Sequence, residues 1–106
     1  MTVTKYNKLV RDNIPNIIER DGKKVKIAKL DDEEYIKALN LKLDEELEEY
    51  IETNNIEELV DMVEVIYGIL DYYGVSIEEF EKIRNEKARK RGAFKEKILL
   101  IEVIED

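Results

Sequence analysis

Residues 44–61 read DEELEEYIETNNIEELVD, and this stretch decides the fold. It contains two acidic clusters, Glu45–Glu49 and Glu57–Asp61, separated by the polar break Thr53-Asn54-Asn55. Both clusters sit in strongly helix-forming sequence, and the break between them is too short for anything but a turn. Short connections make successive helices antiparallel neighbours. The stretch therefore reads as the tip of a helical hairpin with carboxylates on both arms.

The two arms can be followed outward from this tip. Upstream, Ile36, Leu39, Leu43, Leu47 and Tyr50 recur at three- and four-residue steps, the pattern of an amphipathic helix over about 32–53. Asp31, with Glu34 three residues later, forms a capping box at its start. Downstream, Asn55 caps a second helix to Tyr73, with Glu58 at the capping-box position and Gly74 as the stop. Ser76 and Glu79 open a third helix that runs to about Arg91 and ends at Gly92. Before the hairpin, Asn7 to about Arg20 is helical in pattern but interrupted at Pro15, where Asn13 can cap a second piece. Lys23–Leu30 and Lys97–Ile104 carry strand signals, so a minor two-stranded β-hairpin over residues 24–30 and 97–104 is expected beside the helices. The expected fold class is all-α, a helical bundle formed by residues 1–106 as a single domain.

Composition narrows the chemistry. The 106 residues are 42% charged and 43% apolar, a globular balance. The chain has no cysteine and no histidine. Disulfides, thiolate chemistry and the commonest general base are therefore excluded. The net charge of −8 argues against binding a nucleic-acid polymer through the bulk field, which needs a basic footprint. No apolar run approaches membrane-spanning length and the N-terminus lacks an apolar signal core, so a cytoplasmic protein without membrane contact is expected.

Charge runs on helices are usually solvated faces, but here the position around the helix argues otherwise. At about 100° per residue, Glu46 lies roughly 60° from the centre of the apolar stripe, and Glu49 lies beside it one turn on. Glu48 points away and Glu45 is intermediate. On the second helix, Met62–Leu70 is apolar on nearly every side except at Glu64. Glu58 and Asp61 share the stripe that continues into Val65 and Ile69. Carboxylates aimed at a packed face need a partner, because an unpaired buried charge is very costly. Three or four converging carboxylates with no histidine suit a hard, oxygen-loving ion, Mg²⁺ or Mn²⁺. The nearly all-round apolarity of the second helix points to a homodimer or a dimer of dimers.

These residues resemble the MazG-like all-α nucleoside triphosphate pyrophosphohydrolases, a superfamily that includes phosphoribosyl-ATP pyrophosphohydrolase. The family pattern E-E-x-x-E followed by E-x-x-D on the next helix is matched by Glu45-Glu46-Leu47-Glu48-Glu49 and Glu58-Leu59-Val60-Asp61. The resemblance implies Glu46, Glu49, Glu58 and Asp61 as Mg²⁺ ligands. Glu45 with Glu48 fits the first spacing equally but faces solvent more. The family's trailing Asn, Lys and Arg correspond to Asn85, Lys87 and Arg91. The opening Lys5–Asp12 resembles a branch thought to remove non-standard nucleotides. Only eight residues separate Glu49 from Glu58, fewer than is usual in the superfamily.

The implied reaction is attack of water on a phosphorus of a nucleoside triphosphate, giving the monophosphate and pyrophosphate, with Mg²⁺ polarising the phosphoryl oxygens. Glu49, or else Glu45, would take the proton. Lys8, Arg11, Lys87 and Arg91 would offset phosphate charge, alongside Asn85. Two other readings compete: phosphoribosyl-ATP pyrophosphohydrolase itself, and a non-catalytic acidic helical module whose carboxylates form an exposed field.

Overall fold

The computed structural model describes residues 2–106, and all regular structure among them is helical. The helices are α1 (Ile14–Arg20), α2 (Asp32–Thr53), α3 (Ile56–Tyr73) and α4 (Ile77–Arg91). The chain divides into two units, one ending at Gly74 and one running from Val75 to Asp106.

In the first unit, α2 starts where the capping box places it. Asp31 Oδ1 accepts from the Glu34 amide at 2.8 Å, and Glu34 Oε1 accepts from the Asp31 amide at 3.3 Å. Two donors that a helix start leaves orphaned are thus satisfied reciprocally. Asn54 ends α2 in the left-handed region, φ 55°, which asparagine tolerates. Asn55 then caps α3, its Oδ1 accepting from the Glu57 amide at 3.0 Å. The link is two residues long, so α3 turns straight back along α2, and the two helices pack on each other.

Gly68 sets how close they come. A Cβ there would lie 3.0 Å from Leu39 Cδ2, so the missing side chain lets Leu39 press against the α3 backbone. Among the described residues Leu39 (4% exposed) and Val65 (8%) are the buried apolar ones, and Glu46 (7%) is buried with them. With so small an apolar centre, its loss is felt in full. Leu39→Ala should cost about 2–5 kcal/mol, read as a lower urea midpoint at unchanged slope.

α1 is shorter than its sequence pattern. The expected helical piece from Asn7 to Asn13 is absent, and Asn7 lies in the left-handed region at φ 48°. Proline lacks an amide hydrogen and fits only the first turn, so Pro15 fixes the helix start at Ile14. Asn13 occupies the cap position without making a side-chain cap bond.

In the second unit, Ser76 Oγ accepts from the Glu79 amide at 3.1 Å and opens α4. Arg89, Lys90 and Arg91 fill its last turn, where cations complement the helix dipole. On the α4 surface, Arg84 donates to Glu81 Oε2 through two nitrogens, at 2.9 and 2.8 Å.

The expected β-hairpin is corrected: neither 24–30 nor 97–104 is a strand. A two-stranded ribbon is marginal in water unless one face packs. Val25 is the one half-buried residue in Lys23–Leu30, and every residue of Lys97–Ile104 is exposed. β-branched composition without a face to bury does not make a strand. No helix among the described residues is long and apolar enough to cross a membrane.

Candidate metal centre

The buried stripe of each hairpin helix carries both its aliphatic anchor and its carboxylates. Glu46 follows Leu39 by seven residues, two turns on the same face of α2. Val65 follows Asp61 by four residues and Glu58 by seven on α3. Antiparallel packing of the two stripes brings Glu46, Glu58 and Asp61 together, with one oxygen of each within 4.8 Å of the others.

Glu46 is the deepest of the three. Its side chain is 9% exposed, and Lys42 Nζ stands 3.8 Å from Oε1, one turn back along the helix. The other oxygen, Oε2, is buried with no hydrogen-bond partner among the described residues. An unsatisfied buried carboxylate oxygen is costly. A cation bound there would satisfy it, and an all-oxygen donor set suits a hard ion. The three carboxylates therefore fit a hard divalent ion.

Glu58 shows the crowding directly. Its carboxyl is pushed up from 4.5 to about 7, first by the neighbouring Glu49 carboxylate, then by burial and by Glu46. Like charges held this close raise the cost of ionising Glu58. Glu49, the fourth ligand expected from the sequence, is exposed on α2 and lies outside the three converging carboxylates; its link to them is its effect on the Glu58 carboxyl.

The N-terminal segment supplies positive charge. Arg11 Nη2 donates to Asp61 Oδ1 at 2.6 Å, and Arg11 Nη1 lies 3.8 Å from Glu64 Oε1. Lys8 lines an open groove of about 450 Å³ together with Glu45, Glu48, Glu49, Ile51 and Glu52. Both basic residues singled out near the N-terminus thus stand at the acidic hairpin. Glu45 is half-buried and borders this groove, whereas Glu48 and Glu57 are exposed. Asn85, Lys87 and Arg91 are exposed on α4, in the second unit, where Asn85 Oδ1 accepts from Arg84 at 3.2 Å.

Sequence reading passed over Lys42 and Glu64. Lys42 stands four residues before Glu46, a spacing that pairs side chains on any helix and was available as a signal. Glu64 is noticeable only as the polar exception in Met62–Leu70, and its tie to Arg11 has no local signal.

Comparison with known proteins gave no match: no family model, no curated protein and no solved structure matches the chain.

Proposed function

We propose that this chain is a divalent-cation-dependent nucleotide pyrophosphohydrolase, cleaving a nucleoside triphosphate to the monophosphate and pyrophosphate. The supporting observation is the burial of Glu46, whose Oε2 has no partner, in a group of three carboxylates that bring one oxygen each within 4.8 Å of one another. An exposed acidic field, as an interaction module would carry, has no need to bury one of its carboxylates at the cost of desolvation.

Glu46, Glu58 and Asp61 would hold the ion, Mg²⁺ or Mn²⁺, with Glu49 completing the set. The bound cation would supply charge neutralisation and polarise the phosphoryl oxygens. Glu49 borders both the carboxylate cluster and the open groove, a position from which it can take a proton from attacking water. Glu45, on the same groove, is the alternative base. Lys8 and Arg11 bring positive charge for the phosphates. Removal of non-standard nucleotides is the physiological task this reading favours.

The reading includes self-association. Ile56 (68% exposed), Val60 (56%) and Val63 stand four and three residues apart, an exposed apolar stripe along α3. A homodimer formed through this stripe would complete the small core. Light scattering at micromolar concentration should give at least twice the 12.6 kDa chain mass. Val60→Glu with Val63→Glu should return it to the monomer value. A wild-type monomer would exclude the dimer.

The activity is tested by thermal shift with Mg²⁺, with and without a non-hydrolysable nucleoside triphosphate, and by pyrophosphate release across standard and damaged nucleotides. A ligand held at 100 times its dissociation constant stabilises by about 2.7 kcal/mol, a shift of roughly 10 °C for a chain this size. Absence of both a shift and pyrophosphate release would sink the enzyme reading.

A further inference from the structure

Asp61 answers to two cations of different kinds. Its carboxylate is one of the three that converge for a divalent ion, and its Oδ1 already accepts from Arg11 Nη2 at 2.6 Å. The second Arg11 nitrogen leans toward Glu64, one turn further along α3, at 3.8 Å. Arg11 therefore bridges one converging carboxylate and one that lies outside the group.

The way Arg11 is held matters. Its side chain is half exposed, as are those of Asp61 and Glu64. It comes from an irregular segment just before α1, not from a packed helix, and its own carbonyl accepts from the Ile14 amide at 3.0 Å. A partner that orients a metal ligand is normally locked from behind by packing. Arg11 instead reaches Asp61 from the open side, where its guanidinium can leave without disturbing the core formed by Leu39 and Val65.

We propose that Arg11 is a displaceable counter-ion of the metal centre. It competes with the divalent cation for Asp61 and, once displaced, turns its guanidinium to a phosphate oxygen of the substrate. This inference rests on the metal-centre reading above. Its physical basis is exchange of like for like: the guanidinium fork matches carboxylate and phosphate geometry equally, so losing Asp61 and gaining a phosphate conserves its hydrogen bonds. Cation binding would thereby arm a phosphate contact that is otherwise tied to α3, and would favour taking up the cation before the nucleotide.

The consequence is a pair of effects with opposite signs. Arg11→Ala should bind Mn²⁺ more tightly than wild type, by about two- to five-fold, the range an exposed ion pair is worth. The same variant, saturated with Mn²⁺, should bind a non-hydrolysable nucleoside triphosphate more weakly. Arg11→Lys keeps the charge but loses the fork, so its Mn²⁺ affinity should stay near wild type while its nucleotide affinity falls. Calorimetric titration with Mn²⁺ alone, then with the nucleotide analogue, measures both. If wild type binds Mn²⁺ but Arg11→Ala binds it equally or more weakly, Arg11 orients Asp61 and the exchange is overturned, while the metal centre stands. If wild type binds no Mn²⁺, the metal centre and the exchange fall together.

Discussion

Glu58→Gln and Asp61→Asn should each abolish Mg²⁺-dependent pyrophosphate release while leaving the helical far-UV spectrum unchanged. Loss of an outer-shell partner typically costs roughly 10–100-fold in metal affinity or activity. Loss of a ligating carboxylate should cost more. The two variants keep the size and shape of the side chain and remove one negative charge, so the α2–α3 packing around Leu39 and Gly68 has no reason to change. Glu46→Gln belongs with them and separates function from stability. Its Oε2 is buried without a partner, so neutralising it removes a cost from the fold. In EDTA, Glu46→Gln should melt above wild type, and adding Mg²⁺ should erase or reverse that advantage. Residues selected for binding often trade stability in this way. Full activity in both Glu58→Gln and Asp61→Asn would remove these residues from the site.

The second large effect is on pH. The Glu58 carboxyl is raised from 4.5 to about 7 in the folded chain, chiefly by the neighbouring Glu49 carboxylate and then by burial and Glu46. Between these two values the folded state binds more protons than the unfolded state, so stability falls as pH rises. The favourable contribution is complete below about 4.5 and is lost as pH climbs through about 7. In EDTA the melting temperature should therefore decline from pH 5 to pH 8. Glu58→Gln, which mimics the protonated form, should flatten most of that decline. A saturating divalent cation should flatten it too, because it replaces the proton as the charge shared among the carboxylates, and Mn²⁺ affinity should rise over the same pH interval. An identical slope for wild type and Glu58→Gln in EDTA would show that Glu58 does not carry the effect.

Much of this site could be read in one dimension because it lies on helices. The spacing from Leu39 to Glu46 and from Glu58 to Val65 is seven residues in each case, so burial of the aliphatic residue carries the carboxylate inward with it. The same arithmetic leaves Glu48 and Glu57 outside. Helix ends were largely legible, since capping is local chemistry: Asp31 with Glu34, Asn55, Gly74 and Ser76 all act within four residues of themselves, although Asn55 caps the Glu57 amide and the expected box with Glu58 does not form. The β-hairpin was the opposite case. Val25, Ile27 and the run Ile98–Ile104 have the composition of strands, but a strand depends on a neighbour and a packed face that composition does not supply. The segment Asn7–Asn13 erred for a related reason, its apolar spacing suggesting a helix that a left-handed Asn7 and the start fixed by Pro15 do not allow.

The sequence by itself determined the helical hairpin, its caps and the faces on which Glu46, Glu58 and Asp61 lie, because a helix repeats every 3.6 residues and each of those features is set within a few turns. Only the tertiary structure decided which carboxylates converge, that Glu46 Oε2 is left without a partner, and that Arg11 meets Asp61 from fifty residues away. Those facts depend on how one stripe docks against another and on where an irregular segment returns across it. No periodicity encodes either, since both follow from the close approach that Gly68 permits and from a chain path with no repeat.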